Sequence, residues 1–297
     1  QQSLFHTARV AVTSAVRRDC SSSALVQTQN NMNAQSVILE TQDLRKEFGG
    51  LVAVDDVSIK VERGALHSII GPNGAGKTTF FNLLTGNHRP TKGVILYNGR
   101  DITHDPLYKR AHVGIGRSFQ ITNIFPNLTV LENVRLAAQA VGKDNFRFLR
   151  RAESLTNYVR RAEQVLELVG LSAMAHLPAT VLPHGGKRKL ELAILLAPDP
   201  EMMLLDEPTA GMASEQVPEL IATIDAIRRQ GGKTIVMVEH NMNVVMNISD
   251  RITVMNAGRV LAEGIPAEVA ANTQVQSVYL GELYGDFSDA VGGSHGG

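Results

Sequence analysis

The sequence predicts an α/β fold built on a mainly parallel sheet. Short apolar strands alternate with amphipathic helices along most of the chain, a glycine-rich loop joins one such strand to a helix, and a later apolar strand ends in two adjacent acids. Strands that alternate with helices are joined by crossovers, and crossovers lay neighbouring strands parallel.

Residues 37–47 and 52–61 read as strands, the second with Val52, Val54, Val57, Ile59 and Val61 as its apolar positions. Glu62-Arg63-Gly64 turns into a short buried strand over 66–70. Residues 71–79 then read Gly-Pro-Asn-Gly-Ala-Gly-Lys-Thr-Thr, a match to G-x-x-x-x-G-K-[ST], and a helix begins over 78–84. A strand over 93–97 is closed by the turn Asn98-Gly99. Helical spacing follows over 131–141, 146–169 and 187–197. In the long helix Val159, Ala162, Val165, Leu166 and Val169 line one side, and the charges of Arg160, Arg161 and Glu163 form a solvated face. A second alternation comes next: strand 202–205, helix 215–230, strand 234–238, helix 242–248, and strands 251–256 and 260–263. The helical middle is inserted between the glycine loop and the strand at 202, and no internal repeat is present.

With 297 residues there is enough chain for a well-buried core. Lys plus Arg equals Asp plus Glu at 29 each, which argues against a nucleic-acid binder. The lone Cys20 excludes an internal disulfide and suits a reducing compartment. No run of eighteen apolar residues exists to span a membrane. Residues 1–35 are rich in Ser, Gln and Asn with one acid, Asp19, and are expected to form a disordered tail. Arg9, Arg17 and Arg18 give this stretch a faint transit-peptide character, and Met32 is a candidate natural start. Residues 286–297 are expected to be a flexible tail.

The chemistry sits at the strand ends. A triphosphate needs many donors converging in a small space, and backbone N–H groups supply them only where side chains stay clear. Gly71, Gly74 and Gly76 provide that clearance, Lys77 sets a charge against the β- and γ-phosphates, and Thr78 offers a hydroxyl to Mg²⁺. Asp206, carried to a strand's C-terminal edge by Met202-Met203-Leu204-Leu205, is positioned to hold Mg²⁺, and Glu207 to polarise a water for attack on the γ-phosphate. The plainer alternative is a strand that ends in an acidic turn. His240 ends the next strand, either as a structural cap or as a hydrogen-bond donor to the γ-phosphate. Gln120, in Ser118-Phe119-Gln120, stands at the entry to the helical insert, within reach of metal or water.

The order of phosphate loop, Ser-Phe-Gln, Leu182-Pro183-His184-Gly185-Gly186, Leu-Leu-Asp-Glu-Pro and Glu-His resembles the nucleotide-binding subunit of an ABC transporter over about 37–283. Within that family, Phe48-Gly49-Gly50-Leu51-Val52-Ala53-Val54, Phe125-Pro126-Asn127-Leu128-Thr129-Val130-Leu131-Glu132-Asn133, Glu207-Pro208-Thr209-Ala210-Gly211-Met212 and Tyr279-Leu280-Gly281-Glu282 resemble the branched-chain amino acid importer ATPases. The resemblance implies a P-loop NTPase ABC cassette over 36–285, with a mainly parallel core, an antiparallel β subdomain and a helical subdomain over about 103–197. It implies ATP and Mg²⁺ as ligands. Phe48 would stack on adenine beside Ala53, and Asn73, Gly74, Ala75, Gly76, Lys77, Thr78 and Thr79 would bind the nucleotide. Glu207, His240, Gln120 and Lys77 would carry hydrolysis, and Thr78, Gln120 and Asp206 the metal. His184, Gly185 and Gly186 would be the signature loop, serving ATP on the opposite subunit, with a helix beginning near Lys187 aiming its positive end at the phosphate. Pro183 and Gly186 depart from the usual Ser and Gln of that loop, and Ala213 from an Asn or Asp common after it. These departures touch the contact between subunits, where His184, the glycines and Lys187 or Arg188 are expected to compensate in part.

The resemblance further implies a second ATPase subunit, identical or related, two membrane permease subunits, and indirectly a periplasmic solute-binding protein. The place implied is peripheral, on the cytoplasmic face of the inner membrane. Ile124, Phe125 and Leu128 are a candidate docking surface for the permease, or else core packing of the insert. Competing readings are a urea or short-amide importer ATPase, a non-transport ABC ATPase, and a regulatory nucleotide-binding module.

Overall fold

The computed structural model describes residues 37–118, 124–140 and 153–279. The stretches expected to be tails lie outside these residues, as does Gln120. An antiparallel sheet comes first. Its strands are β1 (Val37–Phe48), β2 (Leu51–Val57), β3 (Lys60–Glu62), β5 (Lys92–Tyr97) and β6 (Arg100–Asp101), in the order β2-β1-β5-β6 with β3 also on β1. The single strand expected over 52–61 is therefore two. β2 pairs with the end of β1 (Leu44↔Val57) and β3 with its start (Val37↔Glu62). Buried Thr41 holds the break: its hydroxyl donates to Val57 O and accepts from the Ile59 N–H.

The second sheet runs β11-β10-β4-β9-β8-β7. These are β4 (Leu66–Ile70), β7 (Ile115–Arg117), β8 (Met202–Asp206), β9 (Thr234–Val238), β10 (Arg251–Asn256) and β11 (Arg259–Gly264). All pairs are parallel except the edge hairpin β10–β11, whose Ala257 and Gly258 both have positive φ, as its tight turn requires. Strands β4, β8 and β9 are buried throughout, the pattern of a sheet covered on both faces.

Alternate residues choose between the two covers. Met203, Leu205, Ile235 and Met237 pack against α3 (Val130–Ala140), α4 (Glu153–Leu168), α5 (His184–Leu196) and α6 (Val217–Gly231). Met202, Leu204, Val236 and Val238 pack with α1 (Lys77–Thr85) and the antiparallel sheet. The remaining helices are α2 (Leu107–His112), α7 (Met242–Ile248) and α8 (Pro266–Ala271). Strand β7, the far edge of the parallel sheet, lies inside the stretch expected to be helical. At three residues it is too short to show a period. Helix α5 starts at His184, three residues before its expected start, with Pro183 as N-cap.

Candidate functional site

Strands β4, β9, β8 and β7 are consecutive parallel neighbours, so their C-terminal ends share one edge. The glycine loop leaves β4, Glu239-His240 leaves β9, Asp206-Glu207 ends β8, and Ser118 follows β7. With strands about 4.8 Å apart, β4 and β8 lie roughly 10 Å from each other, a span that suits a triphosphate and a metal ion.

The loop is built around two glycines whose neighbours leave no room for a side chain. A Cβ on Gly71 would sit 2.2 Å from Met255 O, and one on Gly76 2.3 Å from Ala53 O. Gly76 is also the N-cap of α1, at φ +92°. That contact sets Ala53 against the end of the loop. Lys77 opens α1 and is only 6% exposed. Its Nζ donates to Gly71 O at 2.6 Å and Pro72 O at 2.8 Å, folding a cation into the loop. Asn73, Gly74 and Thr78 are exposed on the rim, Thr79 is partly exposed, and Ala75 is buried. Phe48 lies further out, half-exposed, with its ring edge-on to His88 (5.4 Å between centroids) and Lys46 Nζ 4.8 Å above it.

Asp206 is the most constrained group. Its side chain is 1% exposed, and neither carboxylate oxygen accepts a hydrogen bond among the described residues. Arg117 Nη2 stands 4.0 Å from Oδ2. Burial pushes the carboxyl pKa up, Arg117 opposes this, Glu207 adds to it and His240 opposes it. Arg117 is held over Phe81 (5.6 Å to the centroid) and donates to Thr85 Oγ1 at 3.0 Å, so α1 fixes the cation that faces Asp206. The Asp206 N–H donates to Ser118 Oγ at 3.0 Å.

Glu207 has φ +47°, a left-handed conformation uncommon for such a side chain. It turns the acid off the strand, where Oε1 meets His240 Nε2 at 2.8 Å. Both side chains are partly open to solvent. His184, Gly185 and Gly186 form the first turn of α5 rather than a loop before it. No backbone hydrogen bond among the described residues joins them to 71–79. Arg188 in the same helix donates to Ala210 O at 3.2 Å, tying α5 to the turn after Glu207. Sequence reading missed Arg117, Thr209 and Glu239, of which Glu239 alone carried a signal, as an acid beside His240 at a strand end.

Residues 54–210 match the ABC transporter family, and residues 259–284 match the branched-chain amino acid ATP-binding cassette transporter family. The high-affinity branched-chain amino acid transport ATP-binding protein BraF of Pseudomonas aeruginosa is 40% identical over 253 residues, covering 82% of this chain and 98% of its own. The corresponding protein LivG of Escherichia coli is 40% identical over 252 residues with the same coverage. The crystal structure of an ATP-binding cassette of an ABC transporter in its ADP conformation superposes with a TM-score of 0.74 at 30% identity, covering 82% of this chain and 99% of that one. A dimeric post-hydrolysis cassette bound to ADP and Pi gives a TM-score of 0.64 at 27% identity, covering 77% and 99%.

Proposed function

The chain belongs to the ABC transporter family of ATP-binding subunits, and from that premise we propose that it hydrolyses ATP to power branched-chain amino acid uptake through partner permeases. One observation carries the chemistry: the glycine loop, His240 and the Asp206-Glu207 pair leave adjacent parallel strands at a common edge. The residues there fit a magnesium nucleotide. Gly71 and Gly76 keep the cradle clear of Cβ atoms, Lys77 already sets its own charge inside the loop, and buried Asp206 offers two oxygens without hydrogen bonds among the described residues.

In this reading the loop 71–79 holds the phosphates, Phe48 stacks on adenine beside Ala53, and Asp206 and Thr78, with Gln120 from outside the described residues, would hold Mg²⁺. Mg²⁺ held there would supply charge neutralisation to the phosphates. Lys77 exchanges its bonds to Gly71 O and Pro72 O for bonds to phosphate oxygens. Glu207 takes a proton from the attacking water, whose oxygen bonds to the γ-phosphorus as the bond to the bridging oxygen breaks, leaving ADP and phosphate. His240 leaves Glu207 and donates to the γ-phosphate. His184, Gly185 and Gly186 serve the nucleotide of a second subunit, related by a two-fold axis. Because α5 starts at His184, the backbone N–H groups of this turn present the helix's positive end themselves, and Pro183 at the N-cap removes no intrahelical bond.

Among the described residues no helix is long and apolar enough to cross a membrane, so in this reading attachment runs through the permeases, at the cytoplasmic face of the inner membrane. Their docking surface is an apolar groove of about 380 Å³ lined by Tyr108, Ile115, Ala137, Ile194, Leu195 and Pro200. Phe125, 57% exposed, adds apolar surface on the same subdomain, whereas Ile124 packs into the helical core. A periplasmic solute-binding protein delivers the amino acid. The chain from 36 to 285 acts as one cassette.

The test uses Glu207→Gln in the full chain, reconstituted with its permeases in vesicles. ATP binding is expected to persist while hydrolysis falls roughly 10²-fold or more and leucine uptake stops. Normal turnover in the variant would remove Glu207 from its role. Uptake of urea instead of leucine by the wild-type complex would overturn the solute assignment.

A further inference from the structure

The parallel ladder between β8 and β9 ends at Asp206 and Val238, extended only by the Glu207 N–H to Val238 O bond of 2.9 Å. There the two segments part. One turns away at Glu207, and the other runs to Asn241, the N-cap of α7, whose side chain accepts from the N–H groups of Asn243 and Val244. Among the described residues no further backbone hydrogen bond crosses between them. Yet the Glu207 and His240 side chains meet at 2.8 Å.

Glu239 fills the gap. It is 3% exposed. One oxygen accepts the Thr209 N–H at 3.0 Å and the Thr209 hydroxyl at 2.6 Å. The other accepts the N–H groups of His240 at 3.0 Å and Asn241 at 3.3 Å. Burying a carboxylate is costly unless its acceptor sites are met, and a carboxylate has about four of them. Four donors meet them here, all neutral. An amide cannot replace it, because its N–H₂ end would face two donors on whichever side it pointed. The geometry thus specifies the residue type, and the carboxylate acts as a side-chain rung past the end of the ladder.

We propose that Glu239 is a positioning residue for ATP hydrolysis, holding the turn after Glu207 with one oxygen and the start of the His240 segment with the other. It keeps the two backbone segments that carry the water-activating acid and the γ-phosphate donor in fixed relation, while the His240 ring stays free to turn from one partner to the other. The inference rests on the roles proposed above for Glu207 and His240. Its partner in this task is Thr209, whose hydroxyl makes the shortest of the four bonds.

The experiment measures kcat, ATP affinity and melting temperature of the full chain for Glu239→Gln, Thr209→Val, Thr209→Ser and the double variant Glu239→Gln/Thr209→Val. Glu239→Gln is expected to lower kcat at least about tenfold while ATP affinity stays within about twofold. Thr209→Val keeps the volume and loses the hydroxyl bond, so kcat falls several-fold and Thr209→Ser restores it. In the double variant the valine adds less than about twofold, because its effect passes through Glu239. Three results would each overturn the proposal: kcat within twofold of wild type in Glu239→Gln; losses that multiply in the double variant; or ATP affinity and melting temperature that fall in step with kcat. Glu207→Gln measured alongside separates the two ideas. If it keeps turnover, the hydrolytic assignment fails and the positioning role with it. If it is inactive while Glu239→Gln turns over normally, only Glu239 loses its role.

Discussion

Among single side chains, Asp206 sets its proposed metal-binding role against stability most directly. Its carboxyl pKa is raised, chiefly by burial, so the folded chain disfavours the charged form. A raised pKa stabilises the fold below the unfolded value of 3.8 and loses that contribution as pH rises through the folded value. At neutral pH the bare carboxylate is therefore a net cost, which the loose contact with Arg117 at 4.0 Å does not cancel. Asp206→Asn is expected to raise the melting temperature of the nucleotide-free chain, by about 2–4 °C for each kcal/mol relieved, and to abolish the further stabilisation given by Mg²⁺ with ATP. Differential scanning calorimetry with and without magnesium nucleotide checks both parts; a variant less stable than wild type without ligand would contradict them. Asp206 and Glu207 were legible in the sequence because an apolar strand must end somewhere and two acids there are conspicuous. Arg117 was not, since its partners Thr85 and Asp206 lie 32 and 89 positions away and nothing local marks the cation.

At the scale of elements, the far end of α1 is held as firmly as the loop at its start. Arg110, 1% exposed, donates to Leu83 O and Leu84 O at 2.7 Å, to Ile102 O at 2.8 Å, to Thr103 O at 3.1 Å and to Asp105 O at 2.9 Å. Burial lowers its pKa to about 10, with Asp105 and Asp101 opposing, so it stays charged at neutral pH. A cation at a helix C-terminus also favours the helix dipole. The same side chain binds α1 to the segment that leads into β7 and Arg117. Arg110→Met leaves these carbonyls without their donor and is expected to cost roughly 3 kcal/mol or more, read as the midpoint of urea unfolding. Arg110→Lys recovers only part, because three donors replace five. A loss under about 1 kcal/mol for Arg110→Met would contradict this account. Strong apolar runs made β4, β8, β9 and most helices readable. The start of α5 was misplaced because its glycine pair reads as loop, although Pro183 suits a helix's first turn and its extended φ and ψ make it the N-cap. Helix α2 and strand β7 exist through tertiary contacts, such as β7 on β8, that no local pattern announces.

In the whole molecule, one sheet edge gathers segments separated by more than a hundred residues, from the loop at 71 to His240. The order β4-β9-β8-β7 achieves this, since each candidate site segment follows the C-terminal end of its own strand. The helical layer packs on one face of that sheet and the antiparallel sheet on the other, so the edge is the place where both subdomains can touch one ligand. Family membership makes the chain an ABC ATPase cassette, and in the function proposed above it closes on nucleotide with a second subunit. The most direct test is the crystal structure of the full chain carrying Glu207→Gln, grown with ATP and magnesium. The expected structure is a two-fold dimer in which Lys77 has moved from the carbonyls of Gly71 and Pro72 to the phosphates, with a metal between Thr78 and Asp206. A nucleotide bound elsewhere, or Lys77 still on its own loop with Asp206 bare, would contradict it.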